Sequence, residues 1–191
     1  MNSPSLSRAV PKDPVARLAA KQYWITPRMQ RAAQDAIKIA VDKLGGEPVA
    51  KALHGDWMHQ PLHAALTDIP IGAWTATVAC DAIASLTGSA VMDSAADATV
   101  IIGLVGATGA AITGMNDWSG VDKPVARRIG AVHALLNIAA TGLFVGSLCA
   151  RRKDARAAGR ALSVLGYLLV GVSGHLGGNM VYEHGVGVGE Q

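Results

Sequence analysis

His63, His133 and His175 are the side chains whose type and placement point to chemistry in this chain. A neutral imidazole is the commonest protein ligand for transition metals and an axial ligand of haem iron. Each of the three stands inside or at the edge of an apolar segment, where a polar group is expensive without a task or a partner. Thr67 follows His63 by four residues, Asn137 follows His133 and Asn179 follows His175, and residues four apart share a helical face. Asp68, Asn137 and Asn179 are of the type that orients a ligating imidazole through its second nitrogen. The expected site is therefore a ligand pair, His63 and His133, holding a b-type haem iron or a similar metal, with His175 as the next candidate. For any one of these histidines the alternative is a hydrogen-bonded structural residue. His54, His59 and His184 lie nearer the segment ends, as further ligands, proton carriers or rim.

Other chemistries find no support. The chain has no CxxCH for covalent haem attachment, and no HExxH, P-loop, GxGxxG or nucleophile elbow. An electron-transfer or accessory role is expected rather than a stand-alone enzyme. Cys80 and Cys149 sit in apolar segments without zinc spacing and read as small buried hydrophobes.

The elements that must position these residues are legible in the hydropathy pattern. Among 191 residues 50% are hydrophobic and only 16% charged, below the roughly 25% typical of soluble domains. Four apolar segments cover about residues 62–86, 95–117, 128–150 and 160–182, each near the roughly 20 residues that cross a bilayer as a helix. A soluble bundle would need a polar stripe on each helix, and the second and fourth segments have almost none. Short turns at 87–89, 119–124 and 151–154 imply antiparallel neighbours. The fold class is all-α: a four-helix transmembrane bundle threaded up-down-up-down, with an N-terminal amphipathic helix. Residues 1–25 read as a flexible arm without a secretory signal, 26–60 as an amphipathic or interfacial helical segment, and 61–188 as the four-span membrane domain. Thr26-Pro27 supplies an N-cap and a first helical proline for the amphipathic helix, and Gly45-Gly46 ends it.

Charge placement agrees. No Lys or Arg occurs between Lys51 and Lys123, and none follows Arg160, so the net charge of +3 does not indicate nucleic acid. The lipid bilayer is the expected partner. Gly106, Ala110 and Gly114, and again Gly174 and Gly178, are small residues at four-residue spacing, which favours close helix contact within the bundle or in a homo- or hetero-oligomer.

Up-and-down threading brings the start of the first span, the end of the second, the start of the third and the end of the fourth to one side. All six histidines then fall on that side. Asp81, Asp93, Asp97 and the basic 151–160 stretch fall on the other.

The motifs Leu53-His54-Gly55 with Trp57, Pro61-Leu62-His63, Leu66-Thr67-Asp68-Ile69-Pro70-Ile71-Gly72-Ala73-Trp74, Val132-His133-Ala134-Leu135-Leu136-Asn137 and Leu176-Gly177-Gly178 carry a resemblance. The chain resembles a bacterial membrane family catalogued as domain of unknown function 2231, some relatives of which are fused to Rieske or cytochrome c domains. The resemblance implies a multi-pass protein of the bacterial inner (plasma) membrane and a place in electron transfer with quinone or a partner redox protein. The chain departs from the family pattern at Gln60 and Ala64, and at Asn179 where relatives carry a histidine. No redox domain of its own is expected, since the family-like stretch runs almost to Gln191. The leading expectation is a membrane haem b protein. The alternatives are a non-haem Zn, Cu or Fe site in the same histidine cluster, or a cofactor-free structural subunit of a larger membrane complex.

Overall fold

The computed structural model describes residues 11–187. Its elements are α1 (Pro14–Ala20), α2 (Pro27–Leu44), α3 (Glu47–His54), a single 3-10 turn (Asp56–Met58), and four long helices: α4 (Leu62–Thr87), α5 (Ala90–Ser119), α6 (Pro124–Arg151) and α7 (Arg156–His184). The long helices have 26, 30, 28 and 29 residues. At about 1.5 Å per residue each exceeds the roughly 30 Å hydrocarbon layer. All four are long and apolar enough to cross a membrane. Their large side chains largely face outward, Ile102, Val105, Ile138 and Leu168 among them. Lipid is the solvent that makes such a surface stable.

The expected helix ends are formed by the expected chemistry. Thr26 Oγ1 accepts from Met29 N at 3.2 Å, and Pro27 opens α2. Ser89 Oγ accepts from Met92 N at 3.4 Å at the start of α5. Gly55 is the glycine the connection requires: its φ is +100°, and a Cβ there would collide with Gln60 O. The chain can therefore fold back to begin α4 one short turn later.

Residues 1–10 of the expected flexible arm lie outside the described residues, as do 188–191. Residues 11–25 are not a loose arm. Asp13 caps α1, which packs Ala16 and Ala19 against Ile129, Leu176 and Met180.

Helix α4 packs on α5 and α7, and α6 on α5 and α7, so α4 and α6 face one another across the bundle. The two hairpins, α4–α5 and α6–α7, are copies of one plan. The interval from His63 to His133 recurs from Trp74 to Phe144, from Thr77 to Ser147 and from Asp81 to Arg151. A second constant interval relates α5 to α7: Gly103 to Gly166, Ala110 to Ser173, Gly114 to Gly177, Asn116 to Asn179, Asp93 to Arg156 and Asp97 to Arg160. Equivalent residues do equivalent work. A Cβ on Gly103 would strike the Trp74 indole, and one on Gly166 would come within 2.9 Å of the Phe144 ring. Both hairpins begin on the same side, so they are related by rotation about an axis along the bundle, the arrangement of parallel membrane repeats.

The expected packing glycines hold on α5 but not on α7. Gly106 faces Ile69 and Pro70, and Gly114 faces His63. Among the described residues no neighbouring side chain or helix comes within 4 Å of the Cβ position of Gly174, and only Tyr182 of the same helix approaches that of Gly178. Gly159, Gly166 and Gly177 carry the contacts on α7. Cys149 is exposed and Cys80 half-buried, both unpaired, so neither is the buried hydrophobe that was expected.

Candidate functional site

His63 is the second residue of α4, and His133 lies well inside α6. Their rings meet on the bundle axis with centroids 6.4 Å apart and planes at 87°. Each ring is held by the partner helix of its own hairpin. His63 Nδ1 donates to Ala110 O at 2.9 Å, and His133 Nδ1 donates to the equivalent carbonyl, Ser173 O, at 2.8 Å. A carbonyl oxygen only accepts, so both Nδ1 atoms carry the hydrogen and both Nε2 atoms keep a lone pair. Close approach to α5 and α7 depends on glycine: a Cβ on Gly114 would lie 2.7 Å from His63 Cε1, and one on Gly177 would lie 3.2 Å from His133 Cε1.

The polar neighbours differ between the two rings. Asn137 Nδ2 donates to His133 Nε2 at 3.0 Å, and Ser173 Oγ lies 2.9 Å from His133 Nδ1. Among the described residues His63 Nε2 makes no hydrogen bond. The orienting role that the sequence reading gave to Asp68, Asn137 and Asn179 thus belongs to the carbonyls of Ala110 and Ser173. Asp68 is exposed on α4 and bonds to neither ring. Asn137 does meet His133, but at Nε2. Asn179 is buried, 8% exposed, and its Oδ1 has no partner among the described residues.

His175 is not part of the pair. It points away from the axis, 52% exposed, and its Nε2 lies 2.8 Å from Asp13 Oδ2, which ties α1 to α7. The expectation that His175 and Asn179 share one inward face therefore fails, because the core runs through Leu176, Asn179 and Met180 instead. Of the outer histidines, His54 Nδ1 lies 2.8 Å from Asp117 Oδ1, while Asn116 Nδ2 donates to Ala50 O at 3.1 Å, so α3 is pinned over this end of the bundle. His59 is exposed, with φ +55°. His184 closes α7, where its carbonyl accepts from Lys123 Nζ at 2.8 Å.

Deeper along the axis, Trp74 and Phe144 stack with centroids 4.0 Å apart and planes at 6°. Trp74 Nε1 is buried, with no hydrogen-bond partner among the described residues. At the far end lies an ion-pair cluster whose separate parts were visible in the sequence and whose assembly was not. Arg151 donates to both carboxylate oxygens of Asp81, and at 3.1 Å to Asp97 Oδ1. Ser147 and Ser163 accept from the same guanidinium. Arg156 pairs with Asp97 at 2.9 Å and Arg160 with Asp93 at 2.7 Å. From His63 to Asp81 helix α4 rises about 27 Å, so the histidine pair and the ion cluster stand near opposite faces of the hydrocarbon layer.

As a metal site the histidine pair offers two protein ligands. Among the described residues no group of three or more His, Cys, Asp or Glu side chains converges. Zinc sites use three or four protein ligands, so the donor set does not fit a protein-only zinc centre. A metal group held by these two imidazoles would have to bring its remaining ligands with it. A hydrogen bond from Nδ1 to a carbonyl, with Nε2 left free, is the usual setting of a ligating imidazole. The orphaned Asn179 Oδ1 and Trp74 Nε1 leave polar valence unspent in the interior.

The family described as "Predicted membrane protein (DUF2231)" matches residues 59–190, which include every long helix and both His63 and His133. No curated protein and no solved structure matches the chain.

Proposed function

The chain belongs to the DUF2231 family of membrane proteins, and from that premise we propose that it carries electrons at one face of the bilayer through a single centre ligated by His63 and His133. It is a multi-pass membrane protein with four apolar spans. A b-type haem iron is the centre that suits two axial imidazoles, since the macrocycle completes the coordination and protein interiors of this bundle type commonly house such groups. The observation that carries the reading is the paired anchoring of Nδ1 by Ala110 O and Ser173 O. It sets both tautomers with the lone pair on Nε2, unbonded on His63 among the described residues and accepting from Asn137 Nδ2 on His133, on two helices that face one another.

In this role the protein supplies three things. Gly114 and Gly177 let the rings sit against α5 and α7. The two carbonyls raise the basicity of the ligating nitrogens. The surrounding apolar spans exclude water and lower the local dielectric. Haem, when bound, supplies the one-electron chemistry. The electron partners are a membrane quinone or a neighbouring redox protein reached from the histidine face.

One observation favours a second reading. The Asn137 amide already satisfies His133 Nε2, as it would in a cofactor-free structural subunit whose histidines only join the hairpins. The iron content of detergent-purified chain separates the two. One iron per chain, lost in His63→Ala and in His133→Ala, is the result of the first reading. No iron in the parent chain is the result of the second.

A further inference from the structure

We propose that α2 lies half-sunk in the headgroup layer of the bilayer, its free apolar face against acyl chains and its charged face in water. The helix presents three separate ladders. Gln30, Gln34, Ile37 and Val41 face the bundle; the two glutamines are buried and the two apolar side chains half-buried. Arg127 donates to Gln30 Oε1 at 3.0 Å and to Gln34 Oε1 at 3.4 Å. Gln34 Nε2 donates to the carbonyls of Trp118 and Val121 at 2.9 and 3.0 Å. Met29, Ala33, Ala36, Ala40 and Leu44 form the second ladder, and all five are exposed. Arg28, Arg31, Asp35, Lys38 and Asp42 form the third, opposite the second and also exposed.

A helix on a water-soluble core turns its apolar ladder inward. Here the ladder that docks is mixed, with its two glutamines more buried than Ile37 and Val41, and a wholly apolar one is left outside, beside the protein. The docking point fixes its level. Trp118 and Val121 stand where α5 ends, and Arg127 where α6 begins, so α2 sits at the rim of the spans, the level at which an exposed apolar ladder meets lipid. The exposed aromatic side chains Tyr23, Trp24, Trp57 and Tyr182 are all at this end, and the turns at the far end, residues 88–89 and 152–155, carry none. Such residues collect where hydrocarbon meets headgroups. A helix of this kind sinks its apolar face about 5–10 Å into the boundary. The same level places His133, six residues past Arg127, about 9 Å further along α6, close under one membrane surface.

The test uses the full chain with Cys80 and Cys149 replaced by Ala. A single nitroxide-labelled cysteine is placed at Met29, Ala36 or Leu44, or at Arg31 or Lys38, in vesicles of mixed phosphatidylcholine and phosphatidylglycerol. The expected result is a higher collision rate with oxygen than with a nickel chelate at 29, 36 and 44, and the reverse at 31 and 38. Two results overturn the proposal: labels at 29, 36 and 44 that meet the nickel chelate freely, which places the face in water, or labels shielded from both reagents, which places a second protein or a second copy on it.

Discussion

The Arg151 guanidinium donates to both carboxylate oxygens of Asp81, although the two residues hold the same position in successive hairpins. The repeat therefore carries its sign in the charges: Asp81, Asp93 and Asp97 in the first hairpin, Arg151, Arg156 and Arg160 in the second. Two acidic hairpins, or two basic ones, would bring like charges together at this point. The cluster thus makes unlike hairpins the favoured pair, while at the other end the repeat stays alike and presents two histidines.

Removing one partner leaves the other inside the bundle with a weaker counter-charge, Arg151 (0% exposed) with Asp97 at 3.1 Å or Asp81 with Arg160 at 3.8 Å. Breaking a buried pair in this way costs about 3–5 kcal/mol. Asp81→Ala and Arg151→Ala should each lower the thermal midpoint of the detergent-solubilised chain. The exchange of both, Asp81→Arg with Arg151→Asp, should not recover the loss, because it sets the new carboxylate against Asp97 and the new guanidinium against Arg160. Unchanged midpoints in both single variants would remove the cluster from the account.

Glycine packing gives a contrast within one experiment. Gly103→Ala forces a methyl into the Trp74 indole, and overpacking of this kind costs about 1–3 kcal/mol. Gly72 has no neighbour at its Cβ position, so Gly72→Ala should be neutral or stabilising by up to about 1 kcal/mol through helix propensity. Equal effects of the two substitutions on thermal unfolding would contradict the close approach of α5 to α4.

The docking of α1 should depend on pH through Asp13. The Ala16 N–H, the largest influence, holds the Asp13 carboxyl below the usual carboxylate range; burial opposes it, and the hydrogen bond and charge of His175 add to the lowering. A pKa lowered by folding gives stabilisation that is complete above the unfolded value, about 3.9, and is lost as pH falls through the folded one. Amide exchange over residues 14–20 should therefore stay slow down to the ordinary carboxylate range and quicken below it. In Asp13→Asn it should be fast already at neutral pH. Exchange that is independent of both pH and the substitution would separate α1 docking from Asp13.

Asn137 distinguishes the two readings of the histidine pair. Its amide occupies His133 Nε2, the nitrogen that a metal would take. If that nitrogen ligates iron, Asn137→Ala leaves bound iron unchanged or increased. If the pair is only structural, the variant carries no iron and loses about 1–3 kcal/mol of stability from the unpaired buried ring.

Span number, turn positions and the α2 start at Thr26-Pro27 were legible in the sequence because hydropathy and capping are local. The gathering of histidines at one end was legible because threading follows from short turns. Which face of each helix looks inward was not. A helix surrounded by lipid is apolar all round, so nothing in the pattern of α7 separates the exposed His175 from the buried Asn179 one turn away. The Asp13–His175 pair joins residues 162 apart, and a carbonyl partner such as Ala110 O leaves no mark on side-chain identity. The equal intervals between hairpins were the unread signal. They align His63 with His133, and Asp81 with Arg151, without any coordinates.

The reduced-minus-oxidised absorbance spectrum of the full chain, purified in detergent from cells supplied with haem precursor, tests the central claim most directly. The account predicts b-type haem bands in the parent, their loss in His63→Ala and in His133→Ala, and their retention in His175→Ala, whose side chain faces away from the axis. A parent chain without haem bands, or bands that survive both axial substitutions, would contradict it.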